Sequence, residues 1–571
     1  MDFVKKNKSW IVVSIFIIGV STIPYMNDFL LCGHDTRFHL GRIEGLAMSL
    51  KNGDFLGRIN PVNGYGYASG IMYPQLFLYI PAVLRASGLS LMNSYKVFVL
   101  LINIITFLIA YISIKKVLRL QDIGICILAS AFYTLGLYRL CNLYLRAALG
   151  ESLAMAFLPL VFWGMYELFF GDEKKWWVAV LGWTCIIQSH FLSVEIAMAF
   201  SVIVFLLGIK VIACKKRLLS ICKAVLLTFL LNAFFVIPFL HYFLNCDFQV
   251  FHMETEIEQT AVYVSQMFSS AVENSGALKK LGTTAGEMPN TVGMLSLGTI
   301  FLYIILRMNT KSKFDKLGDI VIALVVVTLF AASDLMPWGI LGRFPTINKI
   351  VCSIQFLFRL FAFASVFLTV LFAINLYKIK GWVRESIILV GALLLILQNC
   401  GYYLDSTVQT ENVFSKEETE LVVSIDGIYL YNDYPFLENL YNREKEIEIF
   451  SKDSSIAISE YTKRGTSLAF RITGCDSRAD IEVPLYYYPT YRAELDGEEL
   501  KMEQGNNGVI RIKDVSKDGV LRVSFMEHPL WIVADVISVL TVIGCIIVII
   551  KKYHNLIKGV NLKRIGMIKC R

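Results

Sequence analysis

The sequence predicts an α-helical polytopic membrane protein of about twelve spans with an all-β sandwich near its C-terminus. Three observations predict it. Of 571 residues, 56% are hydrophobic and the mean hydropathy is +0.58, far above that of soluble chains. The apolar residues fall in runs of membrane-crossing length, separated by short segments rich in Lys and Arg. Between residues 404 and 528 the pattern changes to alternating polar and apolar residues with turn signals.

The first span runs from Trp10 to Leu31 behind a basic lead, MDFVKKNK, with no small-residue cleavage site; it reads as an uncleaved span. Further spans are expected at Tyr95–Ile114, Ile123–Leu137, Ser152–Phe170, Trp176–Gln188, Phe191–Ile209 and Leu218–Phe243. The remainder are expected at Thr291–Leu306, Gly318–Ala332, Val351–Leu376, Glu385–Tyr403 and Leu530–Ile550. Lys5, Lys6 and Lys8, Lys115, Lys116 and Arg119, Lys174 and Lys175, and Lys215 to Arg217 then all fall on one side. Lys311 to Lys316, Lys378 to Arg384 and the tail from Lys551 join them. By the positive-inside rule that side is the cytoplasm, which places both termini there and the β domain outside. The net charge of +8 is thereby topological and calls for no nucleic-acid partner.

The chain divides into residues 1–403, a transmembrane domain with a long first outer loop at 32–94, residues 404–528, the β domain, and residues 529–571, a final span with a basic tail. Within the first loop, Ile71–Leu84 is apolar but broken by Pro74 and Pro81, which suits an interfacial helix better than a span. In the β domain SIAISEY, SLAFRIT, DIEVPLYYY, VIRIKDV and LRVSFME read as strands, with turns at Asp496-Gly497, Asn507-Gly508 and Asp518-Gly519. The twelve Cys are scattered without metal-ligand spacing.

A cluster of charge and imidazole, GHDTRFHLGR, Gly33 to Arg42, begins just after the first apolar run. On a helix Asp35, His39 and Arg42 would share a face. Asp35, at the water boundary, is the candidate catalytic carboxylate, a general base for an acceptor hydroxyl; the competing reading is a helix N-cap. His34 and His39 would shuttle protons or, with Asp35, hold a divalent cation, against a purely hydrogen-bonding role. Arg146 and Glu151, in NLYLRAALGES, offer a guanidinium for phosphate or a loop salt bridge. Arg359, eight residues into an expected span and about 12 Å along its axis, marks a site or a buried partner. Gln188, His190 and Glu195 form a polar group near the outer ends of two spans, equally suited to inter-helix hydrogen bonds. Tyr65, Tyr67, Tyr73 and Tyr79 suit sugar stacking or an aromatic belt. No Walker A loop, strand-linked GxGxxG or Asp-x-Asp is present, so nucleotide chemistry has no visible home.

GHDTRFHLGR, NGYGYASGIMYPQLFLYIPA, YLRAALGESLAMAFLPL and IQFLFR together resemble the bacterial membrane family named 6-pyruvoyl-tetrahydropterin synthase related. That family is similar to the GT-C class of multi-span glycosyltransferases, and YYYPTYRAELDGEEL before the final span resembles the tail of YfhO-like proteins. The resemblance implies a sugar donor linked to polyprenyl phosphate, a cell-envelope glycan or polymer as acceptor, and Asp35 as the catalytic residue with His39 beside it. It further implies Arg146 and Arg359 as candidates for the donor phosphate; His34, Arg37, Arg42, Tyr73, Glu151 and His190 are expected to join them in binding substrate. Where many relatives read Phe-Pro-Trp-Arg, this chain has Phe356, Leu357, Phe358 and Arg359. The alternatives are a flippase for a lipid-linked substrate, with Arg359 and Glu195 lining its path, and an envelope assembly factor.

Overall fold

A computed structural model describes residues 8–252, 257–268, 290–408, 413–421, 423, 428–431, 447–450, 456–475 and 477–568. The basic lead at Lys5 and Lys6, most of the loop 244–290 and much of 404–447 lie outside them.

The principal helices are α1 (Lys8–Thr22), α2 (Thr36–Lys51), α3 (Tyr79–Ala86), α4 (Leu91–Val117), α5 (Ile123–Thr134) and α6 (Leu137–Leu140). They continue with α7 (Leu149–Phe169), α8 (Trp176–Ile187), α9 (Phe191–Leu207), α10 (Lys215–Asn245), α11 (Met294–Asn309) and α12 (Asp315–Ala332). The last are α13 (Pro345–Ser353), α14 (Leu360–Lys378), α15 (Trp382–Val408) and α16 (Pro529–Ile568). Helix therefore occurs at each of the twelve expected places. Among the described residues five helices are, by length and composition, able to cross a membrane alone: Leu91–Val117, Leu149–Phe169, Lys215–Asn245, Leu357–Lys378 and Pro529–Lys552. A sixth arises if Ile123–Thr134 and Leu137–Leu145, bent by 47°, count as one span. Residues 69–86, between α2 and α4, fold into short helical pieces and none approaches span length, in keeping with an interfacial segment.

Local chemistry starts these helices. Ser90 caps α4 by accepting from Asn93 N at 3.3 Å, and Asp122 caps α5 by accepting from Ile125 N at 3.2 Å. Helices α7 and α14 begin beside the first loop and end near basic residues, at Lys174 and Lys378. Helix α10 runs the other way, from Lys215 to a C-terminal end whose Phe239 and Tyr242 share a core with the β domain.

That domain is a sandwich of two antiparallel sheets, β3 (Glu448–Phe450), β6 (Ala479–Tyr486), β10 (Val509–Val515) and β9 (Met502–Gln504) against a five-stranded partner. The partner orders β4 (Ala457–Arg464), β5 (Ser467–Thr473), β11 (Gly519–Phe525), β7 (Tyr491–Leu495) and β8 (Glu498–Leu500). Period-two burial in β7 and the apolar residues Phe470, Ile481, Ile510 and Leu521 fill the space between. Asp496 and Gly497, at φ 50° and 89°, make the primed two-residue turn that closes β7 on β8. Asp518-Gly519 differs from the hairpin its sequence suggests. The strands on either side of it lie in different sheets, and Asp518 Oδ1 accepts from Cys475 N at 2.8 Å.

The first loop is the sandwich's seat. Tyr486 N donates to Tyr65 O at 2.8 Å and Ala68 N to Tyr488 Oη at 3.2 Å. Tyr65 and Tyr67 are buried, stacked on Tyr486 and Tyr429 at 5.1 and 5.7 Å, so these two rings fasten the domain and are closed to a sugar. Arg58 binds Glu527 at 2.8 Å and both oxygens of Asp535 at 2.8 Å, tying the loop to the start of α16. Arg58→Ala leaves two neighbouring carboxylates without their shared cation. It is expected to cost about 2 kcal/mol, seen as a lower unfolding temperature and faster proteolysis of the β domain in the purified chain. A two-residue ladder, β1 (Leu30–Leu31) with β2 (Val413–Phe414), ties the end of the first apolar run to the chain after α15.

Candidate functional site

The GHDTRFHLGR stretch docks against the backbone that carries Arg146. His34 N donates to Leu145 O at 3.3 Å and Asp35 N to Arg146 O at 2.9 Å. Only glycine fits at position 33, since a Cβ there would meet Leu145 O at 2.5 Å and the Ala147 Cβ at 2.7 Å. Gly33→Ala is expected to separate the two segments. Its signature is a lower unfolding temperature, of the 1–3 kcal/mol roughly typical of overpacking, together with loss of any activity that needs Asp35 in place.

Asp35 stands at the N-cap position of α2, yet its side chain makes no capping hydrogen bond. Thr36 serves the turn instead, its hydroxyl accepting from Gly33 N at 2.8 Å. Among the described residues the half-buried Asp35 carboxylate has no hydrogen bond or ion pair. Burial raises its pKa above the ordinary carboxylate value, opposed chiefly by the Arg146 charge.

Arg146 follows a bent span. After the 47° break the chain passes through one π-helical turn, Cys141–Leu145, closed by Arg146 N on Cys141 O at 2.9 Å. Ala147 takes a positive φ of 51° before α7 begins. This path brings Tyr138, Asn142 and Arg146 around Glu151, in the first turn of α7 and 2% exposed. Glu151 Oε1 accepts from Tyr138 Oη at 2.6 Å and Asn142 Nδ2 at 2.9 Å; Oε2 accepts from Arg146 Nη1 at 2.9 Å. Arg146 also donates to Asn142 Oδ1.

Arg359 completes the cluster, its Nε 3.5 Å from Glu151 Oε2. It is not eight residues inside a span. The continuous helix expected over Val351–Leu376 is broken: α13 ends at Ser353, Gln355 takes a positive φ of 63°, and Leu357–Arg359 form a single 3-10 turn before α14. Arg359 stabilises the break, donating through Nη1 to Ile354 O at 2.6 Å and Gln355 Oε1 at 3.1 Å. The starts of α2, α7 and α14, with their positive dipole ends, thus meet beside two guanidiniums.

The other expected site residues divide. His39 is buried, and its Nε2 accepts from Leu149 N at 3.2 Å, so it holds the start of α7. Burial and the Arg42 charge keep its pKa well below the ordinary imidazole value, so the ring is neutral. The other ring nitrogen, Nδ1, faces Arg42 Nη1 at 3.5 Å. Arg42 is likewise committed, to Pro74 O at 2.5 Å, with its guanidinium 4.0 Å over the Tyr73 ring. The half-buried Tyr73 borders the cluster, its hydroxyl pressed so closely on Gly150 that a Cβ there would lie 2.1 Å away. His190 caps α9, its Nδ1 accepting from Ser193 N at 3.3 Å. His34 and Arg37 are exposed, and Arg37 leans over the Phe414 ring at 5.4 Å, away from the arginine pair. Glu195 accepts from Ser353 Oγ, and Gln188 donates to Asn232 at 3.0 Å, the inter-helix bonding that was the alternative for this group. Tyr79 donates to Phe55 O at 2.6 Å within the first loop. Among the described residues no three His, Cys, Asp or Glu side chains form a group that could hold a metal ion.

Sequence reasoning missed Tyr138 and Asn142. Their spacing with Arg146 at i, i+4 and i+8 was the available signal, obscured by the apolar residues between.

No protein-family model matches the chain. An uncharacterized protein of Lactococcus lactis subsp. cremoris (strain MG1363) is 24% identical over 583 residues, 91% of this chain and 90% of that one. Among solved structures, the mycobacterial arabinofuranosyltransferase AftD gives a TM-score of 0.42 at 12% identity. That match covers 71% of this chain and 27% of AftD, so the chain spans about a quarter of AftD's length. ArnT from Cupriavidus metallidurans, bound to undecaprenyl phosphate, gives 0.40 at 14% identity over 72% of this chain and 78% of ArnT. The archaeal oligosaccharyltransferase AglB from Archaeoglobus fulgidus, with an inhibitory peptide and a dolichol-phosphate, gives 0.35 at 11% identity over 77% and 62%. At these scores nothing beyond the likeness carries over to this chain.

Proposed function

We propose that the chain is an integral membrane glycosyltransferase moving a sugar from a polyprenyl-phosphate carrier to a cell-envelope acceptor. One observation supports this most: Asp35, a carboxylate without a side-chain partner among the described residues, is held by its own backbone against Arg146, beside a second guanidinium, Arg359. Two cations share one buried counter-charge, Glu151, and offer a pair of guanidiniums suited to an incoming phosphate.

In the reaction the acceptor oxygen attacks the anomeric carbon, the bond from that carbon to the phosphate oxygen breaks, and the acceptor proton passes to Asp35. Arg146 and Arg359 steady the departing phosphate. His39, Arg42 and Tyr73 position the loop and wall the site. The β sandwich binds acceptor polymer or shields the reaction from water. The basic-residue pattern supports placing this face outside the cytoplasmic membrane, with both termini in the cytoplasm.

The flippase reading rested on Arg359 and Glu195 lining one path; with Glu195 bonded to Ser353 and Arg359 to Glu151, no observation favours it. The deciding experiment offers a panel of radiolabelled polyprenyl-phosphate sugars and envelope acceptors to the protein in proteoliposomes. Label in the acceptor is the expected result. No transfer with any donor, accompanied by movement of carrier between leaflets, would overturn the assignment.

A further inference from the structure

We propose that His241, Trp531 and His528 form an acid-sensitive latch that holds the start of the final span and the base of the sandwich to the end of α10, and that opens when His241 takes up a proton. Trp531, in the first turn of α16, is fully buried in the core shared by α10 and the sandwich. Its Nε1 donates to His241 Nδ1 at 3.0 Å. An indole nitrogen is a donor only, so this His241 nitrogen carries no proton and the ring is neutral. His528, just before α16, is held in the same tautomer, its Nδ1 accepting from Leu530 N at 3.2 Å. The two imidazoles lie 4.6 Å apart.

Protonation of His241 turns the acceptor into a second donor facing the indole N–H and leaves a buried donor without a partner. It also sets a cation beside His528, which charges in the same pH range. The dipole of α10 favours a cation near its C-terminal end, but that effect is smaller than a buried hydrogen bond left unmade. His528 is exposed, and water can serve the Leu530 N–H in its place, so the half-buried His241 is the sensing group.

The remaining charged groups at the joint are Arg58, 5.3 Å over the Trp531 ring, and the Glu527 and Asp535 carboxylates it binds, with Asp54 beyond them. The charge that bears on the His241 ring is that of His528. Tyr242, whose ring lies 5.4 Å from the indole, does not titrate in this range. Release of Trp531 loosens the sandwich where its last strand, β11, passes into α16.

The test follows hydrogen exchange over residues 526–536 in the full chain in detergent, between about pH 7.5 and about pH 5.5, with wild type and variants compared at each pH so that intrinsic exchange cancels. A base held neutral when the latch is closed makes it firm above about pH 6.5 and weaker below. Uptake of one proton on opening raises the opening constant about tenfold between these limits. His241→Asn keeps an acceptor oxygen at the Nδ1 position but cannot be protonated, and its opening is expected to change less than about twofold. Trp531→Phe removes the indole donor and is expected to exchange faster at every pH, without the rise. His528→Asn is expected to retain the rise. Wild-type opening that ignores pH overturns the latch. A rise that persists in His241→Asn also overturns it and assigns the acid response to Glu527 or Asp535, and a rise lost only in His528→Asn removes His241 as the sensor.

Discussion

Asp35→Asn is expected to lower kcat for sugar transfer about a thousandfold, the middle of the range for losing a general base, with KM for donor nearly unchanged. The substitution preserves shape, and the wild-type carboxylate has no hydrogen bond or ion pair among the described residues to lose. Its folded pKa lies above the ordinary 3.8 because burial disfavours the charge. The sign follows from linkage: an acid with a raised folded pKa contributes stability at low pH, and that contribution is lost as pH rises through the folded value. At neutral pH the ionised group therefore burdens the fold, and the Asn variant should unfold at the same temperature as wild type or above it. The same shift predicts a wild-type kcat/KM that climbs through an apparent pKa above 3.8, a limb absent from the residual activity of the variant. Equal rates in the two proteins would take Asp35 out of the reaction.

Glu151→Gln should do the opposite, damaging the fold as much as the chemistry. Glu151 receives Tyr138, Asn142 and Arg146 and stands 3.5 Å from Arg359, at 2% exposure. An amide of the same shape leaves two guanidiniums, 6% and 7% exposed, without their shared counter-charge. Breaking a buried pair in this way costs about 3–5 kcal/mol, large enough to read as a marked fall in unfolding temperature. Donor affinity should fall with it, because the pair loses its common anchor. Pairing Glu151→Gln with Arg359→Gln should recover part of the lost stability, since the second change removes one orphaned charge. A Glu151→Gln protein as stable as wild type would show that the cluster is not held by this carboxylate.

Charges in an apolar sequence were the legible part of the site. Asp35, Arg146, Glu151 and Arg359 stand out because burying a charge is costly, and they do gather in one place. What the sequence hid was local backbone. The break before Arg359 has neither Pro nor Gly; Gln355 adopts a positive φ that its type does not advertise, so the run 351–376 reads as one helix. Tyr65 and Tyr67 look like sugar platforms by composition, and only the tertiary partners Tyr486 and Tyr429 show that they fasten two parts of the chain. In the β domain every strand of seven or eight residues was foreseeable. The three-residue strands β3, β8 and β9 were not, since three residues carry no period, and β7 was missed beneath its charged alternate positions. Span counting suffered from helices such as α8, whose twelve mostly apolar residues serve packing against α7 and α10 as readily as crossing.

The ladder that joins Leu30 and Leu31 to Val413 and Phe414 has a bearing on biogenesis. The Asp35 stretch leaves the ribosome long before α15, whereas the strand that clasps its upstream edge is made only after α15. Until then the stretch lacks its clasp, and the seat for the sandwich stays empty as well. A chain released before that point would carry Asp35, Arg146, Glu151 and Arg359 with neither the clasp nor the sandwich that sits on the first loop.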